Sequence, residues 1–90
     1  ALPIYIKGRL DTANARDFSI AIQPLLQEDK PNIIVNCEQM SYISSSGLRC
    51  FLILQKSVQK NQGSLIIEAM RPEIKNIFEM TGCTSLFNIR

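Results

Sequence analysis

Ile4 and Ile6 alternate with Tyr5 and Lys7, a period of two that predicts a strand over Leu2–Lys7 with one wetter side. Pro3 places the start of that strand at an edge or outside the ladder. The period then changes. Ala15, Phe18, Ile22, Leu25 and Leu26 recur by steps of three and four, the apolar face of a helix ending near Gln27. Asp11 or Thr12 is placed to cap its start. Pro24 removes the bond its nitrogen would make to Ile20 and predicts a kink over Ile20–Gln23. The polar run Glu28-Asp29-Lys30-Pro31 stops the helix.

Ile33-Ile34-Val35 is a wholly apolar run that predicts a central strand ending at Asn36-Cys37, followed by a loop from Glu38 to Ile43. A second helix is expected from Gly47 to about Gln62, burying Leu48, Phe51, Leu52 and Gln55 or Val58 while Arg49, Lys56, Gln59 and Lys60 face water. Gly63 is read as its left-handed C-cap. Ser64–Ala69 reads as a strand parallel to the Ile33 strand, joined to it through the second helix as a right-handed βαβ unit. Pro72 and Glu73 suit the first turn of a third helix, with Ile74, Ile77 and Phe78 inward and Gly82 at its end. Leu86–Ile89 makes a short last strand. The alternation of strands and helices predicts an α/β domain with a mixed, mostly parallel sheet of about four strands packed with helices.

Composition narrows the function more than the fold. Ninety residues support one small domain, with 46% apolar and 20% charged residues as in ordinary globular folds. A formal charge of +2, with lysines and arginines scattered, gives no stripe for nucleic acid. No run approaches the ~20 apolar residues of a membrane span, and the first residues lack the basic start of a signal peptide, so no membrane partner is expected and the cytoplasm is the default compartment. Cys37, Cys50 and Cys83 are odd in number and far apart, which fits neither a disulfide framework nor a zinc site. The chain has no histidine, which removes the usual general base and the commonest metal ligand. No phosphate-binding glycine loop is present, so neither a cofactor, a metal nor an enzymatic activity is expected.

The chemistry that remains is the run Ser44-Ser45-Ser46-Gly47 at the mouth of the second helix. Serine there is an ordinary N-cap, satisfying an orphan N–H of the first turn. A hydroxyl at that place is also where a phosphate is welcome, because the helix dipole and free N–H groups favour negative charge. Ser46, directly before Gly47, is the better cap, which leaves Ser45 just outside the helix with a free hydroxyl. The serines stand near the C-terminal end of the central strand, where open α/β sheets place functional groups.

In order along the chain stand Gly8-Arg9-Leu10-Asp11, Ser44-Ser45-Ser46-Gly47-Leu48, Pro72-Glu73-Ile74 and Glu79-Met80-Thr81-Gly82. With these motifs the stretch from Gly8 to Ile89 resembles the STAS domain of the bacterial anti-sigma factor antagonist family, whose patterns are Gly-x-Leu-Asp and Asp-Ser-Ser-Gly-Leu. The resemblance implies a single domain over residues 1–90, lacking the strand that usually precedes this one and the helix that often follows. It implies a binding module that, unphosphorylated, captures a serine-kinase anti-sigma factor and so frees a sigma factor. The kinase would phosphorylate Ser45, the match to the family's phosphoserine, and a metal-dependent serine phosphatase would reverse it. Ser44 stands where the family commonly has aspartate, which removes a charge and adds a rival hydroxyl. Asp11 matches the acidic residue that faces the partner, though a helix cap explains it equally. Arg9 takes a variable position where some relatives carry glutamate. Ser44, Ser46, Gly47 and Arg49 complete the expected partner surface, to which Met40 or Tyr42 also belongs as an exposed patch. The alternative is a STAS scaffold or accessory subunit of a transport or lipid-trafficking assembly, independent of phosphorylation.

Overall fold

Among the described residues four strands and three helices alternate: β1 (Leu2–Leu10), α1 (Ala15–Leu26), β2 (Asn32–Ile43), α2 (Ser45–Lys60), β3 (Ser64–Glu68), α3 (Pro72–Met80) and β4 (Asn88–Ile89), the last reached through a 3₁₀ turn at Thr84–Leu86. The computed structural model describes residues 2–27 and 29–90; Ala1 and Glu28, the latter part of the expected polar stop, lie outside them. The strands lie in sequence order, and β1 pairs with β2, β2 with β3 and β3 with β4, each time in parallel. The sheet expected to be mixed is therefore parallel throughout among the described residues.

Parallel neighbours need a crossover, and each crossover here carries a helix. Phe51 of α2 meets Phe18 of α1 at 5.8 Å and Phe78 of α3 at 5.7 Å between ring centroids, so the three helices share one face of the sheet. Under them Ile33, Val35, Cys37, Leu65 and Ile67 are buried, while Ile34, Asn36, Ile66 and Glu68 on the other face are only half-buried. That alternation is what a sheet covered on one side requires.

The structure corrects the reading of residues 38–43. They continue β2 instead of forming a loop: Gln39, Met40, Tyr42 and Ile43 pair with Lys7, Gly8, Arg9 and Leu10 of β1. Register shifts fall between Tyr5 and Lys7 and between Gly8 and Arg9. Beyond Cys37 the inward residues are Met40 and Ile43, spaced by three instead of two, so the alternation that marks a strand is lost in the sequence although the pairing persists.

Smaller differences have equally local causes. Helix α1 runs through Pro24 to Leu26, one residue short of the expected end; Ile20 and Pro24 both face solvent, where the carbonyl freed by the proline can be hydrated. Its N-cap is Asn14, and Asp11 acts one turn earlier, its Oδ1 accepting the Ala13 N–H at 3.0 Å and its carbonyl accepting the Ala15 N–H at 2.8 Å. At the end of α2 the left-handed residue is Gln62 (φ 58°), not Gly63. Gly63 instead packs against Pro31, whose carbonyl oxygen a Cβ would strike. Gly82 (φ 74°) closes α3 as expected.

Candidate functional site

The ends of β1 and β2 and the start of α2 meet at one point. Leu10 and Ile43 are register partners, both buried, and the Leu10 carbonyl accepts the N–H of Ser44 at 2.9 Å. Ser44 is therefore held by β1 at the moment the chain turns into the helix. Its backbone is extended (φ −92°, ψ 175°) and its Oγ accepts the Gly47 N–H at 3.2 Å. Ser44, not Ser46, is the N-cap, and α2 begins at Ser45 instead of Gly47. Gly47 is buried where α2 crosses β1, with a Cβ position 2.8 Å from the Leu10 carbonyl oxygen and from Ile43 Cγ1, so only glycine fits there without displacing the strand.

The serines thereby divide. Ser44 Oγ caps the helix. Ser46 Oγ lies 3.2 Å from Thr12 Oγ1, bridging α2 to the turn after β1. Ser45, between them, is exposed and its hydroxyl has no hydrogen-bond partner among the described residues. Arg49 is exposed one turn further along, at the i+4 position from Ser45, the spacing at which side chains on a helix surface adjoin. The first turn of α2 holds no acidic residue, so nothing there offsets the positive end of the helix dipole.

On β1 and β2 a second group forms beside the serines. Arg9 and Tyr42 face one another across the two strands, with the guanidinium carbon 4.4 Å from the Tyr42 ring centroid. Arg9 Nε also reaches Asp11 Oδ2 at 3.3 Å. Of the two residues considered for an exposed patch, Tyr42 is exposed and Met40 is fully buried. Of the expected residues, Ser44, Ser46 and Gly47 adjoin Ser45, but Gly47 is buried and not part of the surface; Arg9 and Asp11 flank Leu10, whose carbonyl holds Ser44, and Arg49 lies on the helix surface with no bond to the others among the described residues. Thr12 enters as the partner of Ser46, and Tyr42 as the partner of Arg9. Neither pairing has a sequence signal, because each depends on strand register.

A family model described as the STAS domain matches residues 1–90, the whole chain. The chain belongs to the STAS family. Over 86 residues this STAS domain is 29% identical to the anti-sigma-B factor antagonist of Staphylococcus aureus, covering 96% of this chain and 80% of that protein. Its fold is similar to that of the anti-sigma factor antagonist SpoIIAA in its unphosphorylated form, with a TM-score of 0.74 and 20% identity, covering 98% of this chain and 76% of that one. Bacillus SpoIIAA in its phosphorylated form gives the same TM-score at 21% identity, covering 98% and 80%. A sulfate transporter family protein from Wolinella succinogenes shares the fold too, with a TM-score of 0.79, 15% identity, and 93% and 68% covered. The fold of this STAS domain is thus common to proteins of unlike description, and its function has to be argued from the site.

The site's chemistry is limited. Among the described residues no three potential ligands gather to hold a metal, and no helix is long and apolar enough to cross a membrane. The thiols are all buried, and burial pushes that of Cys37 up to about 12, which keeps it protonated and unreactive. What the surface offers is the unengaged Ser45 hydroxyl, a helix start receptive to negative charge, and an aromatic and basic stack on the adjoining strand ends.

Proposed function

We propose that this STAS domain is an anti-sigma factor antagonist that works by partner switching. Unphosphorylated, it binds a serine-kinase anti-sigma factor and releases a sigma factor; phosphorylation of Ser45 by that kinase ends the binding, and a metal-dependent serine phosphatase restores it. The observation that carries this reading is the exposed, unengaged Ser45 hydroxyl between two engaged ones. The likeness to the Staphylococcus aureus antagonist supports it over nearly the whole chain. Arg9, Asp11, Ser44, Ser46 and Arg49 form the surface that the partner covers, with Gly47 buried beneath it. The domain is a binding module and not a catalyst, and it acts in the cytoplasm.

The switch is electrostatic. A phosphate adds about −1.5 to −2 charges at pH 7, at a place the partner must desolvate. The same charge is tolerated by the domain itself, because it sits at the positive end of α2. Binding is therefore lost at the interface and not through unfolding.

The test combines the purified domain with serine-kinase anti-sigma factors of the source organism, ATP and magnesium, and locates phosphate by mass spectrometry. Ser45→Asp is expected to weaken binding by roughly 1–3 kcal/mol with little change in melting temperature. Ser45→Ala should bind and resist modification. Phosphate on Ser44 or Ser46 overturns the residue assignment. A domain that neither binds nor accepts phosphate favours a second reading, a phosphorylation-independent scaffold in a transport assembly, which the fold shared with the Wolinella protein supports.

A further inference from the structure

Arg9 is held on two sides and open on a third. Its guanidinium lies over the Tyr42 ring at 4.4 Å, and its Nε–H points to Asp11 Oδ2 at 3.3 Å. Arginine carries five N–H donors in a rigid planar fork. The Nη groups at the tip of the fork have no hydrogen-bond partner among the described residues, and the side chain is 62% exposed. Tyr42 extends beside it as a half-open aromatic shelf, 39% exposed. A guanidinium fixed in this way has already lost much of the rotamer freedom that binding would otherwise cost, and its free edge matches a carboxylate in its own plane.

The stack also adjoins the phosphoserine site through the backbone. Leu10, between Arg9 and Asp11, supplies the carbonyl that holds the Ser44 N–H. Leu10 and Ile43 turn inward beneath α2, so Arg9 and Tyr42, the neighbouring register pair, project on the other side of the strand ends. A partner that covers Ser45 and reaches over the strand ends meets the stack next.

We infer that the Arg9–Tyr42 stack is a second anchor of the partner surface and receives a carboxylate side chain, aspartate or glutamate, of the anti-sigma factor. The inference rests on the reading of the domain as an anti-sigma factor antagonist and adds the chemistry that selects its partner. A cross-strand pair that merely stabilises β1 against β2 would share the geometry and be indifferent to the partner's charge.

The experiment measures binding of a purified, nucleotide-free serine-kinase anti-sigma factor from the source organism by calorimetry, with melting temperatures recorded for each variant. Arg9→Glu is expected to weaken binding about tenfold or more, and Arg9→Lys by a few-fold, because lysine keeps the charge and loses the fork. Tyr42→Leu should weaken it by a few-fold through the loss of the shelf. Reversing one partner carboxylate to lysine should restore binding to Arg9→Glu and impair it for the unaltered domain. Binding of Arg9→Glu within about twofold of the unaltered domain, while Ser45→Asp weakens it about fivefold or more, overturns the inference and leaves the partner-switching reading standing. Weakening that no carboxylate reversal relieves overturns the carboxylate assignment. Absence of binding by the unaltered domain removes both readings.

Discussion

Replacing Ser44 with alanine removes the oxygen that accepts the Gly47 N–H, and the expected loss is about 1 kcal/mol, read from denaturant unfolding. Ser46→Ala loses only the hydroxyl contact with Thr12, at an exposed place, and should cost less. Equal losses would remove the distinction drawn between the two serines. Gly47→Ala is a sharper case. Its Cβ would stand 2.8 Å from a backbone oxygen of β1 that cannot move without the strand, so a destabilisation of about 1–3 kcal/mol is expected despite alanine's better helix propensity. At this scale the sequence was only partly legible. That a serine caps the helix was readable; which one was not, because Ser44 is held by the Leu10 carbonyl, brought to it by a strand pairing between residues more than thirty positions apart.

Helices and strands were readable wherever one face alone was buried. Ile22 and Leu26 on α1, Leu48, Phe51 and Val58 on α2, and Ile74 and Phe78 on α3 are all buried as their spacing requires. Leu54 is also fully buried and belongs to the same stripe. The element that escaped was the second half of β2, where bulges break the period and Glu38, Gln39 and Ser41 stand exposed like loop residues. Phe51 ties these elements together, with Phe18, Phe78 and Phe87 all within 6.4 Å between centroids. Phe51→Ala should cost about 3–5 kcal/mol, a large share of the 5–15 kcal/mol typical of a domain, and should lower the melting temperature far more than Ile53→Ala on the exposed side of the same helix. Similar losses at the two positions would deny Phe51 its central place.

For the molecule as a whole, burial of Cys37 makes stability depend on alkaline pH. A thiol free in the unfolded chain ionises near 9.0, whereas the buried one is held up to about 12. Between those values the unfolded chain binds fewer protons than the native one, so this contribution is intact below pH 9 and declines as pH rises, by at most about 1.4 kcal/mol per unit. Cys37→Ala should unfold with a flatter dependence on pH over that window; an unchanged slope would place the effect on other groups. The parallel order β1-β2-β3-β4 carries a consequence of another kind, for the time the chain takes to fold. Leu2 meets Ile33 and Ile33 meets Leu65, so sheet pairings join residues about thirty positions apart, and the described residues hold no hairpin to start the sheet. During synthesis β1 can meet β2 only once the helix between them and β2 itself have left the ribosome. Until then the edge of β1 that β2 covers in the folded sheet stays open.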